Sequence, residues 1–206
     1  MIKRLRRASY LALRPALGLL AAATLSTGLN AQTESDTGKL GQLASGAILV
    51  DVTAVPGSAA GHARATIEIA SPPAVLWAVM LDCTRALKYI ERLKSCKITS
   101  LDPGGRWDIR EHVVEWIWPL PKVRSVFRSE YRPFESFQFS RIDGDLKELS
   151  GQWRLEPIQN GKATRLHYDA RIDPGVPVPG FVLRHSIEAE LRKTLAGLRS
   201  EATTRE

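Results

Sequence analysis

Residues 180–200 read GFVLRHSIEAELRKTLAGLRS. Leu183, Ile187, Leu191, Thr194, Leu195 and Leu198 recur at helical spacing on one side, while Arg184, Glu188, Glu190, Arg192 and Lys193 fall mostly elsewhere. The spacing predicts a long amphipathic helix with a broad apolar stripe. Such a stripe must be buried against another apolar layer, and the chain before it supplies one.

Working back from that helix, the runs CKITSL, RWDIREHVVEWIW, KVRSVFRSEY, FESFQFSRI, LKELSGQWRLEP and ATRLHYDARI are separated by turn residues, among them Asp143-Gly144 and Asn160-Gly161. Serial hairpins of this kind predict a mostly antiparallel meander. Further upstream, AILVDVTAV at 47–55 and ARATIEIA at 63–70 read as strands, the second alternating Ala65, Ile67 and Ile69 against Arg64, Thr66 and Glu68. Between these strands and the meander, SPPAVLWAVMLD offers Ser71 as an N-cap and prolines for a first helical turn, predicting a short helix from about Pro72. CTRALKYIERL predicts a second, with Ala86, Leu87 and Ile90 on its apolar side. The fold class is α+β: strands, two short helices, a meander and a long closing helix.

The first 31 residues carry Lys3, Arg4, Arg6 and Arg7, then an apolar stretch near Pro15 to Leu25, then Asn30-Ala31. This is the pattern of a cleaved secretory signal. The apolar stretch is about half the roughly 20 residues that a membrane-crossing helix needs. Residues 32–45 are polar and are expected to form a flexible leader, with 46–206 as one domain. The expected location is periplasmic or secreted, in a bacterium. The whole chain has a formal charge of +7, but residues 1–31 hold five Lys or Arg and no acid, so the remainder carries about +2. That charge, alternating in sign along the chain, argues against a nucleic-acid partner.

An exported location gives the cysteines their meaning. Cys83 and Cys96 lack the CxxC spacing of a thiol oxidoreductase and the four-ligand set of a structural zinc site. Outside the cytoplasm a disulfide between them is favoured over two free buried thiols.

Several pieces in order, IEIASPPAVLWAVMLD, LKSCKI, DGDLKELSGQWRLEP and PGFVLRHSIEAELRKTLAGLR, resemble the START-like (SRPBCC) superfamily over residues 46–200. Within it they are most similar to the polyketide cyclase/dehydrase and lipid-transport branch, which includes coenzyme-Q-binding relatives. The resemblance implies a helix-grip fold, with a curved antiparallel sheet wrapped around the C-terminal helix and an apolar cavity between them. It further implies a carrier of a hydrophobic or amphipathic small molecule such as a lipid, a quinone or a polyketide-like compound. A cyclase or dehydratase acting in the same cavity is the alternative.

Strand alternation then nominates the lining. One phase collects Trp107, Ile109, Glu111 and Val113, then Phe127 and Tyr131, then Trp153 and Tyr168, faced by Leu183, Ile187 and Leu191 of the closing helix. Ser125, Ser129 and Gly151 fall in phase with them, and each apolar member has core packing as its plainer role. Trp116 and Trp118 in WIWPLPKV sit at a hairpin tip, where they can cover the cavity or touch a membrane transiently. No GxSxG elbow, HExxH pair or Gly-rich phosphate loop occurs, and the four histidines are scattered. The sequence therefore nominates no catalytic residue, no metal and no cofactor, and a monomer is expected.

Overall fold

The structure, a computed structural model, describes residues 37–115 and 122–204. The expected signal segment, residues 32–36 and the Trp116 and Trp118 tip lie outside the described residues.

The first described element is helix α1 at residues 37–44. Part of the segment expected to be a flexible leader is therefore helical: Leu43 is buried there, and an apolar side chain taken from water holds the short helix down. Strands β1 (Ile48–Ala54) and β2 (Gly61–Ile69) follow, then helices α2 (Pro73–Leu81) and α3 (Cys83–Tyr89). The meander runs β3 (Leu93–Leu101), β4 (Trp107–Glu115), β5 (Lys122–Arg132), β6 (Ser136–Gly144), β7 (Glu148–Ile158) and β8 (Ala163–Asp173), with a 3-10 turn at Gln159–Gly161. Helix α4 (Gly180–Thr203) closes the chain. All eight strands join one antiparallel sheet ordered β1-β2-β8-β7-β6-β5-β4-β3, so the first hairpin pairs with the last strand.

Local chemistry explains the element ends. Pro72 rather than Ser71 occupies the N-cap of α2, with no side-chain cap, and the Ser71 carbonyl instead accepts a hydrogen bond from the Thr164 hydroxyl at 2.7 Å. Asp82 caps α3 by accepting from the backbone N–H groups of Thr84 and Arg85. Those two bonds, working against a desolvation cost, hold its carboxyl below the usual range. Cys83 and Cys96 are joined as a disulfide, with Cα atoms 5.3 Å apart, fastening α3 to β3. Leu87, expected on the apolar side of α3, is exposed.

In an antiparallel ladder, directly opposed residues share a face. From fully buried Ile67 the register carries the concave face through Leu166, Tyr168 and Trp153, then Phe137 and Phe139, then Ser129, Phe127 and Ser125. The α4 stripe fills one end of that concavity: Leu195 and Leu198 join Ile67, Ile69, Leu76, Val79 and Leu166 in the core. Truncating one such leucine to alanine costs about 2–5 kcal/mol. Gly197 lets α4 approach α3, because a Cβ there would sit 2.9 Å from the Tyr89 carbonyl oxygen. At the β1 edge, Arg192 and Arg199 of α4 donate to the carbonyls of Ile48 and Gly46.

The convex face is a lattice of ion pairs. Asp169 accepts from His62 and Arg64, Arg165 bridges Glu68 and Glu156, and Arg171 pairs with Glu148. Exposed pairs of this type add little stability, about 0–1 kcal/mol each, but they keep this face charged and wet.

Here the register corrects one expectation. Trp107, Ile109, Glu111 and Val113 oppose Glu130, Arg128, Val126 and Arg124, and so lie on the convex face, not in the cavity. Trp107 lies under the Arg128 guanidinium, 4.2 Å from its ring centroid, and Glu111 accepts from Arg124 at 2.7 Å. The concave phase of β4 is instead Asp108, Arg110, His112 and Val114. Alternation is reliable where polar residues face water. This strand buries its charges, so the rule inverts.

Candidate functional site

A cavity of about 510 Å³ opens between the N-terminal half of α4 and the concave sheet. Val114 of β4, Val123 and Ser125 of β5, Leu146, Trp153 of β7 and Tyr168 and Ile172 of β8 form the sheet side, and Ile187 and Leu191 project from α4. Each strand contributes through its two-residue period and the helix through its four-residue step. The walls are predominantly apolar, the composition of a site for an apolar or amphipathic small molecule.

Gly151 sets the spacing of the two strands that carry Trp153 and Tyr168. It stands opposite Ala170 in the β7–β8 ladder, and a Cβ there would collide with the Asp169 carbonyl and come within 2.7 Å of the Ala170 methyl. Only a hydrogen fits, so the two strands close tightly beside Trp153 and Tyr168.

The nominated residues divide into three groups. Trp153, Tyr168, Ile187 and Leu191 line the cavity. Phe127, Tyr131 and Leu183 are concave but serve the packing around it. Leu183 is in the core beneath Gly61, and Tyr131 meets Trp77 and Phe137 edge to face at 5.8 and 5.9 Å. Trp107, Ile109, Glu111 and Val113 are on the other face of the sheet.

The rings form a connected row. Trp153 and Tyr168 have centroids 4.4 Å apart, Tyr168 stacks on Phe139 at 6.3 Å, Phe139 meets Phe127 at 6.2 Å, and Phe127 meets the His112 ring at 4.9 Å. Such contacts fix ring orientation as well as burying area.

Sequence reasoning missed the polar end of this row. Asp108 is 1% exposed and Arg110 6%, and their side chains pair at 2.8 Å. Desolvation opposes the Arg110 charge, but the Asp108 hydrogen bond, with Tyr131 and Asp108 electrostatics, outweighs it and holds the guanidinium above its usual pKa. The second Asp108 oxygen, Oδ1, has no hydrogen-bond partner. The Tyr131 hydroxyl lies in the field of Arg110, Asp108 and Ser129 without closing a hydrogen bond of good geometry. His112, one step along, is driven down to a pKa of about 4, first by burial and then by the Arg110 charge, so it is a neutral imidazole at pH 7. The only sequence signal was that WDIREHVVE carries polar residues in both phases, which leaves its inward phase undecided.

Around the rim the charges neutralise one another. Arg92 pairs with Glu190 at 3.1 Å, Lys193 with Glu91 and Lys94 with Glu115, both at 2.8 Å. Among the described residues no group of three His, Cys, Asp or Glu side chains is placed to hold a metal ion, and no helix is long and apolar enough to cross a membrane.

Residues 69–199 match the family model for polyketide cyclase / dehydrase and lipid transport. No curated protein matches the chain in sequence. Among solved structures, the STAR-related lipid transfer protein of Xanthomonas axonopodis superposes with a TM-score of 0.65 at 16% identity, covering 76% of this chain and 94% of its own. The lipid transfer and protein localization domain of human StarD13 gives 0.63 at 15% identity, covering 89% and 100%. The Zhui aromatase/cyclase of a Streptomyces species gives 0.57 at 16% identity, covering 69% and 93%. At these identities the likeness is one of fold.

Proposed function

The chain belongs to the polyketide cyclase/dehydrase and lipid transport family, and from that premise we propose that it is an exported binder and carrier of a hydrophobic or amphipathic small molecule. The observation that carries this reading is the cavity of about 510 Å³ between α4 and the sheet, with apolar walls and a rim of paired charges. Burying apolar ligand surface there yields about 25 cal/mol per Å², enough to hold a molecule that water rejects. Lipids, quinones and polyketide-like compounds meet that description.

In this reading residues 1–31 are removed on export and the remainder works outside the cytoplasm as a monomer, where the Cys83–Cys96 bond is at home. Transient membrane contact uses Trp116 and Trp118.

The test is native mass spectrometry of protein purified from its own periplasm, followed by denaturing extraction. A discrete added mass, identified as an intact apolar molecule in one-to-one ratio, is expected. A protein that is empty, and stays empty when offered lipids and quinones, overturns the carrier reading. Conversion of an offered compound would select the cyclase or dehydratase alternative.

A further inference from the structure

The cavity wall holds two polar groups that the protein leaves unused. Tyr168 lines the cavity, wedged between Trp153 and the stacked Phe139 ring. Among the described residues nothing hydrogen-bonds its hydroxyl. Burial pushes that phenol's pKa up, so it keeps its proton and remains a donor. Ser125, also on the wall and buried, stands across the β4–β5 ladder from His112, and its hydroxyl likewise has no partner among the described residues. Neither hydroxyl oxygen is sealed off from solvent, and two unpaired hydroxyls on the wall of one cavity mark positions for a ligand's polar atoms.

The surroundings define those atoms further. Among the described residues no charged side chain hydrogen-bonds either hydroxyl. The charged pair beyond them, Asp108 and Arg110, is occupied with itself, and the rim charges are matched as Arg92 with Glu190 and Lys94 with Glu115. A ligand carboxylate or ammonium carried past the rim would lose its hydration among charges that are already paired. A hydroxyl or keto oxygen loses little and finds a donor. Trp153 and Tyr168 give the wall aromatic surface, which favours a ring system over a flexible chain.

Resting on the carrier reading above, we infer that the cavity selects an uncharged ring compound whose hydroxyl or keto oxygen is hydrogen-bonded by Tyr168, with Ser125 as the second contact. The experiment is a calorimetric and tryptophan-fluorescence titration of the protein at pH 7 with naphthalene, 2-naphthol and 2-naphthoate. Wild type, Tyr168→Phe and Ser125→Ala are compared.

One neutral hydrogen bond should make 2-naphthol bind roughly 2- to 12-fold tighter than naphthalene. Tyr168→Phe should abolish that advantage, and a near-UV circular dichroism spectrum like that of wild type shows that the variant is folded. Ser125→Ala should reduce the advantage, and 2-naphthoate should bind more weakly than either neutral probe. The inference is overturned if naphthalene binds and 2-naphthol gains nothing, if the advantage survives Tyr168→Phe, or if the carboxylate binds best; the carrier reading survives all three. If no probe binds, naphthalene included, both fall.

Discussion

Replacing His112 with leucine should remove a specific part of the protein's sensitivity to acid. In the folded protein burial and the Arg110 charge push the His112 pKa from its ordinary 6.5 down to about 4, with Asp108 compensating only in part. Between those two pH values the unfolded chain binds a proton that the folded chain refuses, so stability falls as the pH falls. Above the unfolded pKa both states are neutral and the group contributes no pH dependence. At 1.36 kcal/mol per pH unit the gap amounts to about 3 kcal/mol, most of it lost by the time the pH reaches the folded value. Urea unfolding of wild type and His112→Leu, followed by tryptophan fluorescence at pH 7, 6, 5 and 4, reads the difference directly. His167 is also lowered by burial, but it is present in both proteins and cancels. Wild type should lose about 3 kcal/mol relative to the variant between pH 7 and pH 4. A difference that stays constant across the series refutes the placement of His112 as a buried, neutral ring beside Arg110.

Three other substitutions probe the buried pair, the sheet packing and the disulfide. Arg110→Met strands the buried Asp108 carboxylate and should cost about 3–5 kcal/mol, or about 6–20 °C in thermal denaturation, whereas Asp108→Leu combined with Arg110→Met should recover most of it. Equal losses in the single and double variants would show that the pair is not what is being broken. Gly151→Ala forces a methyl against the β8 backbone at Asp169 and Ala170 and should cost about 1–3 kcal/mol by overpacking, read as a lower urea midpoint; an unchanged midpoint contradicts the close approach. Replacing Cys83 and Cys96 by alanine opens a loop with a sequence separation of 13 and should cost about 3 kcal/mol in the chain-entropy description. Wild type with reductant should match it, and insensitivity to reductant rules the bond out.

The elements were largely legible because their signals are local. Turn dipeptides bound the strands, prolines start α2, and the stripe of α4 repeats over its whole length. Its Ile187 and Leu191 were readable as cavity residues for that reason, as were Trp153 and Tyr168, whose strands alternate cleanly. β4 was not legible, because period-two patterning shows which residues share a face but not which face is buried. Choosing the apolar phase inward placed Trp107, Ile109, Glu111 and Val113 on the wrong side. The true inward phase holds Asp108 and Arg110, whose burial is made tolerable only by their mutual pairing, and i,i+2 neighbours give no sign of that in sequence. Leu146 was missed for a different reason: it reaches the cavity from the connection between β6 and β7, where no periodicity applies. The helix at 37–44 escaped because its anchoring residue, Leu43, is a single apolar side chain in a polar stretch, and only the rest of the fold provides the surface that buries it.

The most direct measurement is methyl NMR of the selectively labelled protein titrated with naphthalene. If the space between α4 and the sheet is the ligand site, the methyls of Val114, Val123, Leu146, Ile172, Ile187 and Leu191 should shift together to a one-to-one endpoint. The core methyls of Ile67, Leu76 and Leu166 should stay in place. Saturable binding that leaves the first group unmoved, or no binding at all, would contradict a ligand cavity at that position.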